Sequence, residues 1–555
     1  MTTLTEEQSK IITETVSNKD GVYSIQAVAG SGKSFTIFKS IEYIKSKEPD
    51  SKILYIVFNK SNQLSAQSKL AGYSNVKVCT CNSYGYEKCV RAIGSFEVLS
   101  TLSKDIIYNE QQKSKLFDIK YSKHKPFKVL MEKYDSSKLL LDSFCEEMES
   151  HFDDDYQGPD APQECEIITK RGDTVYKYGI PCDIYSVITK NHIEEFNKIV
   201  REHLSQRKYT HGMYMKLAAY SNNPKTGGDN WDYVFFDEAQ DANFFVLKLL
   251  KKQNIRKIYF VGDSRQSIYN FGGINDNVFE KIKFDKTYTL SKSFRFGDEI
   301  AKIANIILDG NGISVQGTPQ EKGYNHNNCT RLYRTNSKMF KDALDLSFEA
   351  VKNNLKVKID FMRTESETRL NYDMLYFIGL YYKYEDICLY QKYKSYIEDV
   401  KIYCSDVIKT FEKRLEETNR YKKVYNEMYD FINEEIHSML NYAKEDDGFI
   451  DKMKSLDICK HCYNPDYIIT MVTMHRSKGM EWDNVVLAEP VKLMYKDKNG
   501  VLHKNPDSIQ ELNLGYVSVT RARKTLDASI LLQELDMYGI DTKDNSFMVK
   551  DGKLD

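Results

Sequence analysis

Residues Ala27–Ser34 read AVAGSGKS. They follow a short apolar run rich in β-branched residues, VYSIQAV (Val22–Val28), and precede a segment in which Ile37, Phe38, Ile41 and Ile44 recur at helical offsets. Strand, glycine-rich turn and helix, in that order, frame a phosphate-binding loop. Gly30 and Gly32 allow backbone conformations that other residues resist. Successive N–H groups then converge on an anion at a helix N-terminus. In such a loop Lys33 reaches the outer phosphates and the Ser34 hydroxyl ligates Mg²⁺. Ala27 stands where the usual pattern has its first glycine, so a chance Gly-Ser-Gly-Lys turn is the bland reading of the stretch. The candidate nucleotide site is the whole of it: Ala27, Val28, Ala29, Gly30, Ser31, Gly32, Lys33 and Ser34.

A second stretch decides between these readings. In YVFFDEAQD (Tyr233–Asp241) an apolar strand runs straight into two carboxylates. Alone, that is a solvated strand end. Downstream of a phosphate loop, Asp237 would hold Mg²⁺ and Glu238 would orient and deprotonate an attacking water, the parts needed for NTP hydrolysis. A third strand, KIYFVGD (Lys257–Asp263), is followed by SRQSIYNFGG, which brings Gln266 toward the γ-phosphate. Tyr269 and Phe271 come next. They are either exposed aromatics on which bases stack or, for at least one of them, core residues.

The bulk composition sets limits. A chain of 555 residues exceeds one core, and ~150 residues per domain suggests three or four. The net charge of −1 confines any anion-binding surface to a local groove. No apolar run approaches the ~18 residues of a membrane span, and the start MTTLTEEQSK has no secretory pattern. The 11 cysteines form no repeating framework. An intracellular, soluble protein with reduced thiols and no membrane partner is the expectation.

Taken together, the motifs resemble those of superfamily 1 helicases of the UvrD/Rep type, in flavour closest to F-box DNA helicases, with no F-box. LTEEQSKII resembles the family's Q motif, AVAGSGKS motif I, VFNKSNQLSA motif Ia and TCNSYG motif Ib. DEAQD resembles motif II, VGDSRQSIYNFGG motif III, LSKSFRFG motif IV, VTMHRSKGMEWDNVVL motif V and GYVSVTRARK motif VI. The ordered set spans nearly the whole chain. The resemblance implies that Gln8 reads the adenine edge, Phe294 stacks on the base and Glu481 lies near the ribose. Arg295 and Arg521 would clamp the γ-phosphate, a task suited to a permanently charged, bidentate guanidinium. Phe58, Asn59, Thr80, Tyr269 and Phe271 would line a single-strand channel, and Thr473, His475 and Lys478 would link ATP to the strand. Ala is common at the Ala27 position in this family. Asn82 and Phe35 depart from its pattern beside the strand and the adenine.

The fold class implied is α/β: two RecA-like P-loop motor domains with parallel sheets, each carrying a largely helical insertion. The first motor domain is expected over 1–90 and 212–295, with its insertion over 91–211. The second is expected over 296–360 and 461–540, with its insertion over 361–460, leaving 541–555 as a flexible tail. CTRLYRTNS (Cys329–Ser337), YIITMVT and NVVLAE read as strands of the second domain. The basic run KYSKHKPFKVLMEKY touches phosphates or is a solvated helical face. CKHC (Cys459–Cys462) has zinc-ligand spacing without a second pair, so helix-end thiols are its plain reading. The expected activity is an ATP- and Mg²⁺-dependent DNA helicase or translocase, moving 3′→5′ on single-stranded DNA and acting at single-strand/duplex junctions. The rivals are a translocase that strips proteins from DNA, an RNA helicase, and a non-motor scaffold that binds nucleic acid under ATP control.

Overall fold

The computed structural model describes residues 4–99, 203–221, 223–242, 244–268, 278–308, 313–319, 328–362, 442, 445–446, 448–496, 501–505, 508–540 and 542. The expectations for Tyr269 and Phe271, for the basic run 120–134, and for nearly all of 361–441 and 541–555 lie outside them. The described residues fall into two compact units, one within Met1–Val28 and Gly32–Leu290, the other within Ala29–Ser31 and Ser291–Asp555.

The first unit is built on a parallel sheet of six strands: β1 (Gly21–Ala27), β2 (Ile53–Val57), β3 (Val76–Thr80), β6 (Asn230–Asp237), β7 (Asn254–Gly262) and β8 (Lys286–Leu290). Their order across the sheet is β3-β2-β6-β7-β1-β8. Side chains alternate faces along a strand, and the two cores divide accordingly. Tyr55, Val57, Tyr233, Phe235, Tyr259 and Val261 pack beneath helices α1 (Glu6–Ser17) and α2 (Lys33–Lys47) with Ile11, Ile37, Ile41 and Ile44. Leu54, Ile56, Val234, Phe236, Ile258 and Phe260 form the opposite core with Met213, Leu217, Phe245 and Leu249. Burial on both faces is why these strands read as continuous apolar runs.

Helix α1 begins at a capping box. The Thr5 hydroxyl accepts from the Gln8 N–H at 3.1 Å, and Gln8 Oε1 accepts from the Thr5 N–H at 3.1 Å. Helices α3 (Lys60–Leu70) and α4 (Cys81–Ile93) follow β2 and β3. The short strands β4 (Glu97–Leu99) and β5 (Lys208–Thr210) pair in parallel where the chain enters and leaves 100–202. The helix His211–Tyr220, which starts inside the expected insertion 91–211, is buried in the first unit's core.

The second unit carries a parallel sheet of five strands: β9 (Asn328–Tyr333), β10 (Val357–Phe361), β11 (Tyr467–Thr473), β12 (Trp482–Leu487) and β15 (Ala522–Asp527). Their order across the sheet is β10-β11-β9-β12-β15. A hairpin, β13 (Met494–Lys496) and β14 (Leu502–Lys504), lies between β12 and β15 in sequence. The expected strand Cys329–Ser337 stops at Tyr333, because Thr335 caps the helix Asn336–Lys352 by accepting from the Lys338 N–H at 3.3 Å. The helix Phe449–Lys460, placed by sequence in the insertion 361–460, packs with Met339, Phe340, Ile359 and Met471 in this unit's core. The first unit ends at Leu290, five residues before the expected boundary at 295.

Candidate active site

The phosphate loop leaves the carboxyl end of β1. Gly30 and Gly32 have φ of 74° and 77°, the left-handed region that favours glycine. Gly32 is the residue before α2, so the amino end of that helix opens onto the loop. Ala27 is the last residue of β1, paired with Leu290 of β8 and buried in the apolar core. An extended, buried strand position has no need of glycine, which accounts for the departure from the usual pattern. Phe35 is half-buried, with the Lys39 ammonium 5.9 Å above its ring.

Strand register sets the acidic pair beside this loop. β6 ends at Asp237, level with Val261 of β7, which is itself level with Ile25 of β1. The Asp237 carboxylate is buried. Its Oδ1 accepts from the Glu238 N–H at 3.0 Å, and its Oδ2 accepts from the Ser34 hydroxyl at 3.3 Å and the Tyr55 hydroxyl at 3.0 Å. Burial, with the neighbouring Glu238 charge adding to it, pushes the Asp237 carboxyl up to about 6, against the pull of Lys33. Glu238 has φ of 53°, a left-handed conformation that non-glycine residues seldom take and that marks functional sites. Its Oε1 lies 3.6 Å from Lys33 Nζ.

Glu238 is tied onward to the end of β7. Gln240 Nε2 donates to Glu238 Oε2 at 2.5 Å, while Gln240 Oε1 accepts from the Asp263 N–H at 3.1 Å. Gln266 Nε2 donates to Asp263 Oδ2 at 2.8 Å. A Cβ on Gly262 would lie 2.2 Å from Gln240 Oε1, so glycine there makes room for the bridge. The donor set fits the expected ligands. Lys33 and a helix amino end suit phosphates. The Ser34 hydroxyl and the Asp237 carboxylate are hard oxygen donors of the kind Mg²⁺ takes, few in number because Mg²⁺ keeps waters and phosphate oxygens as well. Among the described residues no His, Cys, Asp and Glu side chains cluster as a metal centre. Cys459 is buried with its thiol pushed up to about 11, and its Sγ is 3.9 Å from the Ser347 carbonyl, a helix-end thiol.

The second unit gathers another set. Arg295 Nε donates to Glu481 Oε2 at 2.7 Å, and its Nη1 donates to the Thr520 carbonyl at 2.9 Å. Arg521, next in sequence to Thr520, is 1% exposed and donates to the Val517 and Met480 carbonyls and to the Thr520 hydroxyl. The two arginines and Glu481 are therefore brought together, with Phe294 exposed beside Arg295. Thr473 ends β11 and is buried. Lys478 is half-buried in the turns beyond it. His475 is held down to about 4 by burial and then by the Arg334 charge, so it is neutral at physiological pH. Arg334 itself is paired bidentately with Glu511.

In the first unit Phe58 is exposed. Asn59 and Thr80 are helix caps, whose side-chain oxygens accept from the Asn62 N–H at 2.8 Å and the Ser83 N–H at 3.1 Å. Gln8 is buried.

Comparison with known families matches the UvrD/REP helicase N-terminal domain to residues 4–287 of this chain. The chain belongs to the UvrD/REP helicase family. Residues 4–287 take in the phosphate loop, Asp237, Glu238 and Gln266. F-box DNA helicase protein 1 of Schizosaccharomyces pombe is 26% identical over 561 residues, covering 94% of this chain and 57% of its own. F-box DNA helicase 1 of Gallus gallus is 26% identical over 563 residues, covering 96% of this chain and 49% of its own. ATP-dependent DNA helicase Rep of Buchnera aphidicola is 36% identical over 89 residues, 15% of this chain and 13% of its own. The chain spans about half the length of the two F-box DNA helicases. Among the described residues no helix is long and apolar enough to cross a membrane.

Two side chains of this site are not singled out by the sequence. Gln240 lies inside DEAQD, but its bridging role depends on where β7 ends. Tyr55 lies in ILYIV, a fully buried strand. A tyrosine in such a strand needs a partner for its hydroxyl, and that need was the available signal.

Proposed function

We propose that this chain is an ATP-dependent DNA helicase or translocase that moves 3′→5′ along single-stranded DNA and acts at single-strand/duplex junctions. The observation that carries the reading is the linked set Lys33, Ser34, Asp237, Glu238, Gln240 and Gln266 at the carboxyl ends of adjacent parallel strands. Lys33 and the loop N–H groups bind the ATP phosphates. Ser34 and Asp237 hold Mg²⁺, which when bound neutralises charge on the phosphate oxygens. Glu238 takes the proton of the attacking water. Gln266 orients that water or reads the γ-phosphate. Arg295 and Arg521 stabilise the transferring phosphoryl group, with Gln8 and Phe294 on the adenine and Glu481 near the ribose. Phe58, Asn59, Thr80, Thr473 and His475 meet the DNA strand. The RecA-like motor architecture, each sheet with an insertion, belongs to the same proposal. So does an intracellular site of action.

The testing experiment is strand displacement on duplexes with 3′ or 5′ single-stranded tails, in DNA and in RNA, with Glu238→Gln as the inactive control. Displacement of 3′-tailed DNA, driven by ATP and lost in the control, supports the proposal. ATP hydrolysis stimulated by single strands without displacement turns it into a protein-stripping translocase. Negligible hydrolysis with saturating single-stranded DNA turns it into an ATP-switched scaffold.

A further inference from the structure

Tyr55 sits in the middle of β2, level with Phe235 of β6. Asp237 is two residues further along β6, so its side chain leaves the sheet on the same face as those of Tyr55 and Phe235. The phenol spans that step and places its oxygen 3.0 Å from Asp237 Oδ2. The Phe38 ring meets the Tyr55 ring edge-on at 5.9 Å, and Tyr55 is 1% exposed. A hydroxyl enclosed in this way cannot exchange its partners for water; those partners are the Asp237 carboxylate and the Ser34 hydroxyl, so once Ser34 turns away the carboxylate is its remaining acceptor. The other donor on the same oxygen has a different standing. Ser34 is exposed, lies in the first turn of α2 at the mouth of the loop, and makes the longer contact at 3.3 Å.

We propose that Tyr55 is a positioning residue for Asp237, the standing donor that keeps the carboxylate aimed at the loop when the Ser34 hydroxyl leaves it to ligate Mg²⁺. The inference rests on the nucleotide-site reading above. Without the phenol oxygen, Oδ2 loses its permanent partner at the moment Ser34 departs, and the carboxylate turns away from the metal. Tyr55 touches neither nucleotide nor metal, so its effect appears in metal affinity and not in nucleotide affinity alone.

The test is Tyr55→Phe, which removes the oxygen and keeps the ring against Phe38. Binding of Mn²⁺ to the protein carrying a non-hydrolysable ATP analogue is followed by electron paramagnetic resonance. Binding of the analogue alone is measured in excess chelator. The expected result is metal binding weakened about ten-fold, the size of one hydrogen bond to a charged group, with metal-free analogue binding unchanged. Unchanged metal affinity would overturn the proposal. Equal losses with and without metal would also overturn it, since they mark a packing role or a misfolded variant. A wild-type protein that binds no Mn²⁺ with the analogue would instead overturn the nucleotide-site reading beneath it.

Discussion

Replacing Glu238 by Gln separates binding from chemistry at this site. The change removes a negative charge and a proton acceptor while leaving shape and backbone in place. Glutamine is no more strained than glutamate at φ 53°, and its amide oxygen can still accept from Gln240 Nε2. Three consequences differ in size. The Lys33 contact at 3.6 Å exceeds hydrogen-bond length and is partly exposed, so its loss costs at most about 1 kcal/mol. Asp237 is pushed up to about 6 by its burial and by the Glu238 charge. Removing that charge lets Asp237 ionise more readily, so binding of Mg²⁺ and ATP holds or tightens. The third consequence is loss of the general base, worth roughly 10²–10⁴ in rate, or about 3–5 kcal/mol at 1.36 kcal/mol per decade. A fluorescent nucleotide titration should therefore give a Kd no weaker than about three times that of wild type. Phosphate release with saturating single-stranded DNA should fall at least about 100-fold. A fall of less than about ten-fold in turnover would place the base elsewhere. A matching loss of affinity would mean that Glu238 serves binding and not hydrolysis.

Lys33→Ala should abolish ATP turnover in the same phosphate-release assay, and near-normal turnover would remove the phosphate-loop assignment. Gln240→Met cuts the bridge between Glu238 and Asp263 at similar volume. Loss of one hydrogen bond to a charged group predicts kcat lower by about 10–100-fold with ATP affinity little changed, read by steady-state ATPase kinetics. Glu534 offers a pH test of the second unit. Its Oε1 accepts from the Leu493 N–H at 2.7 Å, its Oε2 is buried, and burial raises its carboxyl to about 7 from 4.5. A raised carboxyl favours the folded state below its ordinary value, and that contribution is lost as pH rises through about 7. Glu534→Gln should therefore gain stability over wild type as pH goes from about 5 to 8, by about 2 kcal/mol after solvent screening. The cost of enclosing the amide N–H₂ is constant with pH, so it moves the baseline and not the slope. Thermal melts of both proteins across that range check it, and Tm differences that are flat in pH would refute it.

What was legible in the sequence was local. The turn after β1, the carboxylates closing β6 and the glycine closing β7 each break a run of buried apolar residues, and such breaks can be read one strand at a time. Ala27 departs from the usual glycine, and the resemblance already makes alanine ordinary there; the physical reason, a buried extended strand end, is visible only in the fold. The ends of elements were harder. Thr335 stopped β9 early because a helix needed a cap, and the helix Phe449–Lys460 joined a core that its sequence position had assigned to an insertion. Tyr55 was out of reach for a different reason, since its partner is 182 residues away and is fixed only by the pairing of β2 with β6.

The link from Glu238 to Gln266 is of the same kind. β6 and β7 run level, Asp237 against Val261, so the turn that carries Gln240 falls across Gly262. Gln240 can then hold Glu238 with one end of its amide and the Asp263 N–H with the other. A side chain at Gly262 would have to displace that amide. The disturbance would reach Glu238 without touching the glycine-rich loop. Strand register, more than local sequence, thus joins Glu238 to the glutamine at the end of the next strand.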